Sequence, residues 1–240
     1  MKLKKLLFLL LLVSLNAFSQ ILAGEEINEN NLSSWHVNNI DEYEGIYAIG
    51  FSEAEAELTV AIHNNLICVQ LKSGDWLTEN EQTVGWRTSY LNYTNIKIDG
   101  NKFYSDETNG EFVIYKIGNK MIKCLKLNIP PVQTGTDNQY EIARRFSIGE
   151  ITTGKHIKTK FEVSSPEYLM SLSLVELKIM RNEIFARYGY TFKKGGAMHI
   201  YFNEQDWYKA EFNNVDAFIT AIEKLNIAEI KKIEALKMNN

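Results

Sequence analysis

The chain has 240 residues, is 45% hydrophobic and carries a formal net charge of −4, which is an ordinary globular composition. Acidic residues number 30 against 26 basic ones, so no broad basic surface exists and nucleic acid is excluded as a natural partner. The two cysteines, Cys68 and Cys124, allow at most one disulfide and make a weak basis for a metal site.

The chain opens MKLKKLLFLLLLVSLNAFSQ. Lys2, Lys4 and Lys5 form a basic start, residues 6–15 an apolar run, and Ala17 and Ser19 the small residues before a cleavage point. This is the pattern of a secretory signal peptide covering residues 1–19. An uncleaved anchor is the alternative, but a membrane span needs ~20 apolar residues. No cysteine at the cleavage point suggests lipid attachment, and no later apolar run predicts a span in the mature chain. Removal of the leader takes away three lysines and no acid, which leaves a net charge of −7. Residues 164–240 hold ten charges of each sign, so the excess acid lies earlier.

Residues 20–40 read as a polar lead-in. Over residues 41–150, short β-branched and aromatic runs such as ELTVAIH, LICVQLK, EFVIYKIG and MIKCLKL are cut by Asn- and Gly-rich turns. Seven or eight such strands predict an antiparallel meander that closes as a barrel or folds as a sandwich to manage its edges. Pro130 and Pro131 stop the last clear strand, and a further strand is expected near residues 145–148. Cys68 and Cys124 fall in two of these strands, where they form a disulfide or remain as small buried apolar groups. Trp76 and Trp86 read as core or rim residues. Glu53, Glu55 and Glu57 alternate as one solvated strand face. Asn92-Tyr93-Thr94 has the form of a glycosylation acceptor, which chance explains as well.

Residues 151–163 read as a polar connector, and residues 164–238 as a small, mainly helical domain. The fold class is therefore α+β. Ser173 and Glu176 fit a capping box. The helix they start is expected to run to about residue 188, with Gly189 just beyond its end. A short helical turn is expected at NEQDWY. A last helix over about residues 217–236 is expected to break near Asn226.

On a helical wheel, Leu177, Met180, Ile184 and Tyr188 share one apolar face. Arg181 and Arg187 flank it on opposite sides, and Glu183 precedes Arg187 by one turn in the favourable order. Two readings follow. In the first, these charges brace the fold. In the second, Arg181, Glu183, Arg187 and Tyr188, flanked by Trp207 and Tyr208, form a binding surface for a carboxylate or other anion. Eight aromatics between residues 185 and 208 serve chiefly as core for so small a unit.

RNEIFARYGYTF, followed by YFNEQDWY and EKLNIAEIKKIEAL, resembles the bacterial YARHG domain. The eponymous motif stands here as Phe185-Ala186-Arg187-Tyr188-Gly189. Phe replaces its first Tyr and Tyr replaces its His, so no titrating imidazole is available at position 188. The resemblance implies an extracytoplasmic location and a domain boundary; it implies no reaction.

His36, His63, His156 and His199 are dispersed and match no nucleophile elbow, metal motif or Cys/His pairing. The expectation is a non-catalytic binding or interaction module of the cell envelope that needs no cofactor or metal. Its partner would be an envelope protein, peptide or glycan. A lipocalin-like carrier using the β domain is one alternative. An envelope hydrolase with an unseen carboxylate pair is another.

Overall fold

The computed structural model describes residues 27–50, 56–79, 82–128, 140–146 and 153–239. The leader, the Pro130-Pro131 stop, Glu53 and Glu55 lie outside the described residues. Ten strands are present: β1 Leu32–Ser34, β2 Gly45–Ile49, β3 Ala56–His63, β4 Leu66–Glu79 and β5 Gln82–Asn92. They continue with β6 Lys97–Asp99, β7 Lys102–Tyr104, β8 Asn109–Ile117, β9 Lys120–Leu127 and β10 Glu141–Phe146. The last of these includes part of the strand expected at 145–148.

All pairings are antiparallel, in the order β5-β4-β3-β2-β10-β9-β8-β7-β6. β1 lies beside β8 at residues 113–115, beyond β7 at residues 109–111. The path does not close, yet the sheet is rolled. Leu58 and Val60 of β3, Val69 and Leu71 of β4, Phe103 of β7, Phe112 of β8 and Leu125 of β9 share one core. Alternation along each strand aims these residues inward. Tyr43 stacks on Phe112 with ring centroids 3.9 Å apart, and Tyr47 and Phe103 are fully buried beside them. The interior is thus filled by side chains.

The lead-in is more than a polar approach. Trp35 is buried in the same core, edge-on to Tyr43 at 4.9 Å, and the Tyr43 hydroxyl donates to its carbonyl. The single Trp in an Asn/Glu-rich stretch carries this insertion.

Cys68 and Cys124 are free thiols, which corrects the possible disulfide. Between β4 and β9 stand β3, β2 and β10. Four strand spacings amount to roughly 19 Å along the sheet, far beyond disulfide reach. Cys68 faces the helical unit, and burial pushes the Cys124 thiol up to about 12.

The helices are α1 Pro166–Ser171, α2 Leu174–Ala186, α3 Ala197–Asn203 and α4 Ala221–Met238. The Ser173/Glu176 capping box is formed as expected. α2 ends at Ala186, with Arg187 as its C-cap, because the chain tightens into i→i+3 bonds at Tyr188 and Gly189. Gly189 takes φ +72. α3 ends on the first residue of NEQDWY, and the rest of that stretch forms turns. α4 is unbroken at Asn226, because that side chain is buried and hydrogen-bonded rather than capping a new segment.

The connector is also packed. A 3₁₀ turn, Ile157–Lys160, precedes Phe161, which lies with Ile222 of α4 against Ala61 and Cys68 on the outer face of the sheet. Sheet and helices therefore share a continuous apolar seam.

The close strand approach at Gly110 gives a test. A Cβ there would overlap the Lys126 carbonyl oxygen, whereas one at Gly85 meets nothing within 4 Å. Gly110→Ala should lower unfolding stability by about 1–3 kcal/mol, and Gly85→Ala should change it by less than about 0.5 kcal/mol, both read from urea midpoints.

Candidate functional site

The sequence motif places Arg187 at the end of α2, where the helix stops against the sheet and α4. Its guanidinium is buried and contacts two carboxylates: Nη1 lies 3.2 Å from Glu183 Oε1 and Nη2 lies 3.2 Å from Glu223 Oε1. Nη2 also donates to Thr159 Oγ1 at 2.8 Å, and Nη1 to the His156 carbonyl at 3.4 Å. Nε is buried and has no partner among the described residues. Arginine suits this position because its planar fork can serve several acceptors at once.

Each carboxylate is held from other sides as well. Glu183 accepts from the backbone N–H groups of Lys155 and His156, at 3.0 and 2.7 Å. Burial pushes its carboxyl above the usual range, and the Arg187 charge and these amides oppose that. Gly154 lies so close to Glu183 that a Cβ there would meet its Oε1 at 2.5 Å, and it takes φ +91. Glu223 is the third helical residue of α4 and closes a capping box with Thr220. Its Oε2 accepts from the Tyr188 hydroxyl at 2.6 Å.

Tyr188 carries the network into the sheet. Its hydroxyl is also within 3.0 Å of Gln70 Oε1 on β4. It has one proton to donate, and Glu223 is the closer, charged acceptor. Burial first, then the Glu223 charge, raises the Tyr188 pKa well above its ordinary value. Gln70 Nε2 donates to Asn92 Oδ1 and to the Phe218 carbonyl, and the Asn92 amide donates to the Ala217 carbonyl. Asn92 is thus engaged with the helical unit. Tyr90 of β5 donates to the Arg187 carbonyl and meets Tyr188 edge-on at 4.8 Å.

A second polar clasp lies beside the first. Asn226 Nδ2 donates to the carbonyls of Thr159 and Glu162, and its Oδ1 accepts from Ser164 N. His156 is buried, and its Nε2 has no partner among the described residues. Burial lowers its pKa to about 4, helped by the charges of Lys155 and Arg187, so it is neutral at pH 7. The Lys160 pKa falls to about 8, chiefly through desolvation.

The candidate binding residues separate into two groups. Glu183, Arg187 and Tyr188 turn inward and are paired within the chain, which corrects the surface drawn for them on the helical wheel. The wheel places Arg187 beside the apolar stripe, and α4 and the segment carrying His156 and Thr159 cover that side. Arg181 pairs with Glu234 of α4 at 3.0 Å and keeps partial exposure. Trp207 and Tyr208 pack, half-buried, against Phe202 in an aromatic cluster with Phe192 and Tyr201, and the Tyr208 hydroxyl donates to the Tyr190 carbonyl. These two belong to a cluster that also takes in Phe185 and Ala186 of α2, and they make no bond to the Arg187 ion pairs among the described residues. Glu223, Gln70, Asn226 and Thr159 were not identified by the sequence reading. The Thr220-Ala-Ile-Glu223 capping pattern and the polar Gln70 within LICVQL were the available signals.

Fold and site together define a rolled antiparallel sheet with a small helical unit locked to its outer face. Residues 159–235, nearly all of that helical unit, match the family model of the YARHG domain, a domain of extracytoplasmic type and uncertain function. No curated protein and no solved structure matches the chain. Among the described residues no helix is long and apolar enough to cross a membrane, and no group of His, Cys, Asp and Glu has metal-binding geometry.

Truncating a buried ion partner strands the others. Arg187→Ala should destabilise the protein by about 3–5 kcal/mol. The combined Glu183→Gln, Arg187→Met, Glu223→Gln variant should recover most of that loss, because no buried charge is left unpaired. Chemical denaturation of the three proteins measures both effects.

Proposed function

We propose that the protein is an extracytoplasmic, non-catalytic binding module of the bacterial cell envelope, in which the helical unit and the sheet present one composite surface. The supporting observation is how the charged residues of the motif are used. Both oxygens of Glu183 and both of Glu223 accept hydrogen bonds from the chain itself. A general acid or base must instead reach a substrate proton. The motif residues therefore hold surfaces in place, and recognition falls to groups that keep exposure.

A carrier reading receives less support. Tyr43, Tyr47, Phe103 and Phe112 occupy the rolled sheet's interior, where a lipocalin-like ligand would sit. A hydrolase reading needs a pair of accessible carboxylates across a cleft, and the pair nearest the motif is buried against Arg187.

The test uses the mature chain with separated envelope fractions: wall material, surface polysaccharide and envelope protein. Saturable retention by a fraction, without time-dependent release of small products, is the expected result. Retention by none of them, or steady product release, contradicts the proposal.

A further inference from the structure

Residues 155–164 reach the helices as a strap. Its only regular element is the 3₁₀ turn Ile157–Lys160, so it depends on side chains from α2 and α4. Glu183 accepts from the Lys155 and His156 amides, and Arg187 donates to the His156 carbonyl and Thr159 Oγ1. Asn226 binds the Thr159 and Glu162 carbonyls and the Ser164 amide. The strap in turn supplies Ile157, Phe161 and Val163 to the apolar seam against Ala61 and Cys68 of the sheet. Whatever releases the strap therefore opens part of the seam.

His156 is the strap's single histidine. It is 6% exposed, its backbone is bound on both sides, and its Nε2 has no partner among the described residues. An imidazolium carries an N–H on both ring nitrogens. Protonation would thus put a charge in the interior and a donor at Nε2 with no acceptor. The charges around the ring oppose it on balance: Lys155 of the strap and Arg187 at the end of α2 repel a proton, and Glu176 of α2 attracts one. Glu176 is engaged in the Ser173 capping box. Glu183 lies against the His156 amide, and its oxygens serve two backbone amides and Arg187. Glu223 of α4 pairs with Arg187.

We propose that His156 is an acid-sensitive latch, in which protonation of the buried ring releases the strap from α2 and α4 and draws Phe161 out of the seam. The latch goes beyond the binding-module reading and stands without it. The YARHG domain is of extracytoplasmic type, and a protein outside the cytoplasm meets the pH of its surroundings directly.

The direction of the response follows from the two states of the ring. Burial, with Lys155 and Arg187, lowers the His156 pKa to about 4, against about 6.5 for an exposed histidine. The stability this contributes is complete above about pH 6.5 and is lost as pH falls towards about 4. Glu183 acts in the opposite sense. Burial raises its carboxyl, so its protonation in acid favours the closed form. A variant that lacks only the imidazole separates the two.

Hydrogen exchange and NMR on the full mature chain test the latch. The reporters are the amides of Lys155, His156, Phe161 and Ser164, each hydrogen-bonded in the closed strap. After correction for intrinsic exchange, their opening equilibrium should rise about 20-fold from pH 7 to pH 5 in wild type. In His156→Asn, which has no titrating ring, the rise should stay under about threefold. Titration of the assigned His156 ring in wild type should give a midpoint below about 5, a reading that needs no variant. A midpoint near that of an exposed histidine, reporter amides as well protected at pH 5 as at pH 7, or the wild-type acid response in His156→Asn overturns the proposal.

Discussion

The Arg187 guanidinium, held out of water between Glu183 and Glu223, is the interaction on which the junction depends. A buried charge is tolerated only when its partners and remaining hydrogen bonds are supplied. Supplying them here recruits four parts of the chain. α2 gives Glu183, α4 gives Glu223, and the 3₁₀ turn gives Thr159. The segment before that turn adds the backbone amides of Lys155 and His156. On the sheet side Tyr90 of β5 donates to the Arg187 carbonyl, and Gln70 of β4 lies beside the Tyr188 hydroxyl. Such a junction favours one docking geometry, because any displacement leaves a carboxylate or the guanidinium unpaired.

Docking has a consequence for the outer face of the sheet. Ala61, Cys68 and Gln70 are covered, and among the described residues the pairing beyond Lys72 is that of β4 with β5. A surface composed from two units of a chain holds its shape only if the units move together. The apolar seam and the bonds of Gln70, Asn92 and Tyr90 to the helical unit provide that condition, while the arginine network and the Asn226 clasp hold the helical side together.

Much of this was legible in the sequence where one local signal dominated. The Ser173 capping box, the apolar stripe of Leu177, Met180, Ile184 and Tyr188, and the strand alternation of ELTVAIH all lead to the observed elements. Burial of Arg187 was not legible. A wheel gives the angle of a side chain about its helix and says nothing of what packs against that side. Asn226 was misread for a related reason: asparagine favours helix ends, and here distant carbonyls at Thr159 and Glu162 satisfy it inside α4. Trp35 sat in a polar stretch whose composition hid one core residue. The separation of Cys68 from Cys124 followed only from strand order, which local pattern does not encode.

Native-state hydrogen exchange on the wild-type protein tests most directly whether sheet and helical unit form one cooperative body. The slowest amides of α2 and α4 should open with the same free energy as those of β3 and β4, since parting them exposes the apolar seam of Ala61, Cys68, Phe161 and Ile222 and strips Gln70 and Asn92 of their partners. Opening of the helices at a clearly lower free energy, with β3 and β4 still protected, would show that the junction does not couple them.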